Sequence, residues 1–277
     1  MAEITAALVR ELRDETNLPM MDCKKALNEN GGDKEKAKEW LRKQGIAIQG
    51  TRAARETAFG RFGIFSGVDK KAGAMVELKC ESAPVAGGEE FINLANAMAE
   101  QLATGPGAAT AEELLKQPYP GKAGKTLGDV KDDMFNRIRE VFNVGRMVKI
   151  EGPTGGYSHN SKTVSGALVQ VEGGNDAAAK DVAMHAAAMR PVACSRDEVD
   201  AALVEKEREI LKAAALAEGK PANIVDKMVE GRLKNFFAEK VLNEQPFVKE
   251  NSLSVAKYAE SHGMKVKKFV LWELGVE

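Results

Sequence analysis

Met20-Met21-Asp22-Cys23-Lys24-Lys25-Ala26-Leu27 opens a helix immediately behind the turn Asn17-Leu18-Pro19. Proline lacks an N–H and clashes inside a helix, but its fixed φ suits a helix start. Two methionines therefore stand side by side at the head of a helix. Adjacent helical residues point about 100° apart, so a small bundle cannot easily bury both and at least one faces outward. A flexible thioether on a surface suits partner recognition better than chemistry. On these eight residues alone, core filling by both is still the slightly favoured reading.

Working outward, Ile4, Leu8 and Leu12 stripe a preceding helix over Ile4–Arg13, and Ala26 and Leu27 continue the apolar face. A third helix is predicted from the cap Asp33 through Ala37, Trp40 and Leu41 to a terminal Gly45. Three helices within residues 1–55 make a bundle with a thin core, of the size of a ubiquitin-associated domain. Residues 46–57, rich in Arg and Ala, read as a helical connector.

Composition excludes several classes. The 277 residues are 44% hydrophobic, enough for one or two cores. Forty basic and 41 acidic side chains nearly cancel, so no global footprint for nucleic acid or anionic membrane exists. No apolar stretch is long enough to span a bilayer, and the Met-Ala-Glu-Ile-Thr start has no secretory pattern. Cys23, Cys80 and Cys194 are odd in number and far apart, which fits neither a disulfide framework nor a zinc site. A reduced, cytoplasmic chain is expected.

Past residue 55 the pattern becomes mixed. Phe62, Ile64 and Phe65 suggest a strand, and residues 74–80 alternate, with Val76, Leu78 and Cys80 on one face. A loop leads to a helix with Phe91, Leu94, Ala95, Met98 and Leu102 inward. After the Pro- and Gly-rich loop 117–125 comes a helix containing Met134, Ile138 and Phe142. The order then recurs: Gly166–Val171 parallels Gly73–Leu78, and Val182–Ala187 parallels Leu94–Ala99. This is a degenerate duplication of an α+β unit. From Ser195 a helical hairpin is predicted, with Val199, Leu203 and Ile210 on one arm and Ile224, Met228 and Phe236 on the other. Charged flanks fit an antiparallel coiled coil. The strand 269–274 closes the second sheet. The expected organisation is α+β: a bundle at 1–55, one core subdomain at 56–150, and a second at 151–277 carrying the hairpin at about 195–245.

No catalytic centre, metal site or cofactor site emerges. Gly124-Lys125-Thr126 is reminiscent of a phosphate-binding loop, but Tyr119 stands at its required first glycine and prolines flank it. Ser158 and His159 are sequence neighbours, which seldom aim at one another, and no third group orients them. His185, on an apolar helix, reads as a satisfied interior histidine. Cys80 ends an apolar strand and reads as a small buried hydrophobe.

A duplicated core, a small bundle and a projecting hairpin without catalytic residues describe a macromolecular clamp. Residues 4–13 followed by 20–27 are similar to the N-terminal signature of the elongation factor Ts family, guanine-nucleotide exchange factors for elongation factor Tu. Tyr157-Ser158-His159, Met184-His185 through Pro191, Lys227–Arg232 and Gln245–Lys249 match in the family's order. The resemblance implies a ubiquitin-associated-like N-terminal bundle, two related core subdomains and an inserted coiled-coil hairpin. It implies elongation factor Tu, GDP-bound and nucleotide-free, as the partner, with no direct nucleic acid or membrane contact. Val9, Arg13, Met20, Met21, Lys24 and His159 are the partner-facing residues it points to. After the first core strand, family members commonly carry an Asp-Phe pair thought to push toward the partner's magnesium. Here the run is Ser82-Ala83-Pro84-Val85, lacking carboxylate and ring, though Pro84 stays rigid and apolar. Self-association through the hairpin or core stays open. Two other classes are weighed: an adaptor built on the bundle alone, and an enzyme with a convergent polar pocket in the core.

Overall fold

The computed structural model describes residues 4–16, 18–52, 54–219 and 221–276, so Asn17 of the N-terminal turn and the Met1-Ala2-Glu3 start lie outside the described residues. Helices α1 (Ala6–Thr16), α2 (Met20–Glu29) and α3 (Lys34–Arg52) form the bundle. The Thr5 hydroxyl accepts from Leu8 N at 3.3 Å, and Asp33 Oδ1 accepts from Lys36 N at 3.1 Å. Each satisfies an otherwise unpaired amide at a helix start. The bundle core comprises Val9, Leu12, Cys23, Ala26, Leu27, Ala37 and Leu41. Helix α3 does not stop at Gly45 as expected but runs on to Arg52.

Strands β1 (Phe59–Phe65) and β2 (Ala72–Cys80) follow, then α4 (Ala83–Ala86), α5 (Glu89–Thr104), α6 (Ala111–Leu115), α7 (Leu127–Ile138) and β3 (Asn143–Glu151). The sheet order is β1-β2-β3. The alternation read in β2 is not matched by its burial. Every residue of that central strand except Lys79 is buried, including Glu77, whose carboxylate meets Arg146 of β3 at 2.8 Å. The expected loop after β2 contains one helical turn, α4, with Pro84 near its start. Phe142 is buried but lies beyond α7, because Arg139 takes a left-handed conformation and ends that helix. Gly45 proves to be a close-approach glycine: a methyl there would lie 2.0 Å from Oδ1 of Asn136 on α7.

Next come β4 (Thr154–Asn160), β5 (Val164–Gly173), α8 (Asp176–Met189), α9 (Ala201–Ala217) and α10 (Ala222–Lys240). The chain ends with β6 (Pro246–Phe247), β7 (Glu250–Ser254), α11 (Val255–Ser261) and β8 (Met264–Glu273). The second sheet, β4-β5-β8, is antiparallel throughout, with Phe269 opposite Val169 as a closing strand requires. Its core gathers Val169, Val182, Ala183, Leu242 and Phe247. Contacts divide the chain into two compact units, Met1–Gly63 with Val76–Met147 and Ile64–Met75 with Val148–Glu277.

One local device occurs in each unit. A methyl on Gly63 of β1 would lie 2.0 Å from the carbonyl oxygen of Ala95 on α5. A methyl on Gly155 of β4 would lie 2.3 Å from that of Ala179 on α8. Strand and helix thus meet backbone to backbone, which only glycine permits.

The helical hairpin is α9 against α10. At 1.5 Å per residue α9 is about 25 Å long. Its seam differs from the expected one. Val204, Leu211 and Ala215 face Val225, Val229, Leu233 and Phe236, while Leu203, Ile210 and Ile224 are exposed. Two neighbouring apolar stripes, 203/210 and 204/211, share the seven-residue spacing, and periodicity alone does not say which one faces the partner arm. Val199 lies before α9 and is buried with Ala193 and Val241 at the hairpin base.

Candidate partner-binding surface

At the head of α2, Pro19 occupies the cap position with φ −55° and ψ 135°. Its carbonyl accepts from Asp22 N at 3.0 Å and Cys23 N at 3.1 Å. That start turns Cys23, Ala26 and Leu27 inward and leaves both methionines in solvent, Met20 48% and Met21 72% exposed. Core filling by both is thereby excluded. Lys24, one turn from Met20, is exposed on the same side. Arg13, at the end of α1, is exposed beside Asp14 at 3.5 Å. Val9 differs: at 5% exposure it belongs to the bundle core and offers almost no surface.

The bundle is braced on its charged side by Lys34, which reaches Glu11 at 2.6 Å and Glu15 at 2.8 Å, and by Lys38, which reaches Glu15 at 2.7 Å. The two lysines hold the Glu15 carboxyl down to about 2. All these groups are open to water, so their part in stability is small.

Ala83 and Pro84 are exposed at the tip after β2, while Ser82 and Val85 are half-buried. The tip is anchored reciprocally. Ser82 donates its N–H (3.1 Å) and its hydroxyl (2.6 Å) to Glu140, while Val141 N donates to Glu81 at 2.8 Å. Ser82 is the cap residue of α4 yet makes no side-chain cap bond, since its hydroxyl is committed to Glu140. Sequence reading gave no sign of Glu81 and Glu140, because their role depends on a contact between residues about 60 positions apart.

His159 lies on β4, the edge strand of its sheet, opposite Ser165. It is half-buried, its Nδ1 lies 3.2 Å from the Tyr157 hydroxyl, and the two rings stack at 6.1 Å. Tyr157 is thus the residue that orients it, through the two-residue strand period.

No group of three metal-ligating side chains is found among the described residues, and none of the described helices is long and apolar enough to cross a membrane. His185 is fully buried: its Nε2 lies 3.0 Å from Gln245 Oε1, and its Nδ1 accepts from Val248 N at 3.1 Å. Both ring nitrogens are thus engaged in structure, and burial lowers its pKa despite the Gln245 bond. Burial pushes the Cys80 thiol up to about 11, the opposite of an activated nucleophile. Thr126 of the phosphate-loop-like run caps α7 in a reciprocal box with Asp129. A cleft of about 380 Å³ beside α5 holds Tyr119, Lys122 and a Glu90–Arg137 fork at 2.8 and 3.1 Å, a closed ion pair.

Met20, Met21, Lys24, Ala83 and Pro84 are thus exposed, and His159 is half-buried. The family described as "Elongation factor TS" matches residues 81–276. The chain is similar to the elongation factor Ts of Methylococcus capsulatus, 43% identical over 275 residues covering 98% of this chain and 92% of that protein. It is 41% identical over 277 residues to that of Nitrosomonas eutropha, covering 99% and 92% of the two chains. With that of Chlorobaculum parvum the identity is 39% over 289 residues, covering 99% and 100%. Matches of that extent, joined to an exposed methionine pair and an anchored tip after the first core strand, leave one conclusion: the chain belongs to the elongation factor Ts family.

Proposed function

We propose that this chain is the guanine-nucleotide exchange factor for elongation factor Tu in translation elongation. It binds the GDP-bound factor, loosens GDP by acting on the magnesium and phosphate region, and is released when GTP binds. The observation that carries the reading is the outward pair Met20–Met21 with Lys24, an apolar and cationic patch presented by a small bundle that holds no chemistry of its own. The chain acts by binding and not as an enzyme. Coupling between two ligands of one protein is reciprocal, so a factor that prefers nucleotide-free elongation factor Tu weakens GDP by the same ratio. Such a factor needs differential contact with two states, not an active site.

Arg13, Met20, Met21 and Lys24 form one contact area, and His159 another. Val9 supports the first from within. Exposed Ala83 and Pro84 form a rigid, small wedge at the tip after β2, secondary to the clamp. The domain division 1–55, 56–150 and 151–277 is part of the same reading.

Release of fluorescent GDP from elongation factor Tu, with and without this chain, tests the proposal. Acceleration by several orders of magnitude supports it. Tight binding without acceleration would leave the clamp and remove the exchange step. A chain carrying Ala83→Asp with Pro84→Phe is expected to change release by less than about tenfold, and a larger gain would make the wedge rate-limiting.

A further inference from the structure

Helix α7 ends at Arg139, whose φ of 66° lies where side chains other than glycine are strained. Its Nη1 is buried with no hydrogen-bond partner among the described residues. On backbone grounds alone, glycine would suit the position better. The arginine nevertheless makes two long-range bonds. Its Nη2 donates to Asp22 Oδ2, one residue past Met21 at the head of α2. Its carbonyl accepts from Arg52 Nη1 at 2.6 Å, at the far end of α3. The next residue, Glu140, holds both the N–H and the hydroxyl of Ser82. Two consecutive residues at one helix end thus grip the Met20–Met21 head on one side and the 82–85 tip on the other. Gly45 of α3 against Asn136, with Arg42 3.7 Å from Asp129, seats the bundle on the same helix α7.

We propose that Arg139 and Glu140 form a positioning bracket that fixes the spacing and orientation between the Met20–Met21 head and the 82–85 tip. This rests on the exchange-factor reading, because it treats both elements as partner-facing. Two contacts held at a set separation engage a partner together, and the second forms without a further ordering cost. Neither residue need touch the partner. Arg139 and Glu140 are positioning residues.

The test uses the full-length chain with Arg139→Gly. Glycine suits the left-handed backbone and removes the guanidinium, so the melting temperature should hold or rise. Spin labels are placed on Asn28→Cys in α2 and Glu89→Cys in α5. Both positions are exposed, whereas Cys23, Cys80 and Cys194 are buried. The parent should give a narrow distance distribution and Arg139→Gly a broad one. With elongation factor Tu, the concentration giving half-maximal GDP release should rise by about tenfold while the maximal rate is unchanged. Asp22→Ala, which removes the same bond from the other end, should reproduce both effects. An unchanged distance distribution in Arg139→Gly overturns the proposal, as does a broadened one with an unchanged half-maximal concentration. Impairment in Arg139→Gly but not in Asp22→Ala would mean that the arginine touches the partner itself, and also overturns it. If the parent chain releases no GDP, the exchange reading fails instead, and the label distances alone decide whether the bracket exists.

Discussion

Lowering the pH from 7.5 to 5.5 should cost this protein stability through His185. The ring is fully buried, Val248 N–H occupies Nδ1, and Gln245 takes the proton on Nε2. Gln245 is fixed in turn by its own bonds to the carbonyls of Glu239 at 2.7 Å and Met189 at 3.4 Å. A proton added to Nδ1 would break the Val248 bond and leave a buried charge without a partner. Folding therefore lowers the pKa of His185 from its ordinary value of 6.5, mainly by burial. The folded chain binds that proton less readily than the unfolded one. Stability from this group is complete above the unfolded pKa and is lost as the pH falls below it. One unit below, at pH 5.5, the loss approaches about 1.4 kcal/mol if the folded ring stays neutral. The assay is urea unfolding followed by Trp272 fluorescence in a Trp40→Phe background, so that the signal comes from β8. A His185→Gln chain is expected to be about 1–3 kcal/mol less stable at pH 7.5, because a buried bond is lost. Its deficit should shrink by about 1.4 kcal/mol at pH 5.5 as the wild-type penalty appears. Groups that titrate in both chains cancel in the difference. Parallel stability curves across this range would refute the argument.

Three further outcomes follow from the geometry. Gly63→Ala and Gly155→Ala should each destabilise by about 3 kcal/mol or more, because the added methyl meets backbone that cannot move aside; thermal melts reading less than 1 kcal/mol would show that the layers slide apart freely. Glu77→Gln should cost about 3 kcal/mol, at the lower end for a buried pair because Arg146 is partly open to water, with a cost below 1 kcal/mol arguing that the pair is dispensable. Met21→Ala should leave the melting temperature within a degree or two, since the side chain is 72% exposed, yet raise the concentration needed for half-maximal GDP release. An unchanged half-maximal concentration would remove Met21 from the contact area.

The sequence revealed those features whose cause is local. Apolar spacing in α5 placed Phe91, Leu94, Ala95, Met98 and Leu102 inside, and they are buried. His185 on its apolar helix was legible as an interior residue, whereas the slight preference for core filling by both methionines is overturned by their exposure. Features set by distant contact were not legible. Gly45 looked like a helix end because its true reason, Asn136, is 91 residues away. The run 74–80 carries an alternating pattern, but burial of both faces in a central strand overrides it. The hairpin seam turned on which of two equally spaced stripes met α10, and Val9, matched to a contact position, turned out to belong to the core. Arg13, Met20, Met21 and Lys24, singled out by the family resemblance, are exposed, while Arg139, Glu140 and Glu81 carried no local mark.

The paired glycines of β1 and β4 have a consequence for how such a chain can change over generations. Most positions of the two sheets can exchange side chains, provided volume and polarity are kept. The contact of Gly63 with the Ala95 carbonyl, and of Gly155 with that of Ala179, allows no such drift, since any other residue would push helix from strand. The strand–helix packing of each unit is then constrained most tightly at positions that have no side chain. Aligning the two units on these glycines, before their hydrophobic runs, tests whether they are copies of one another.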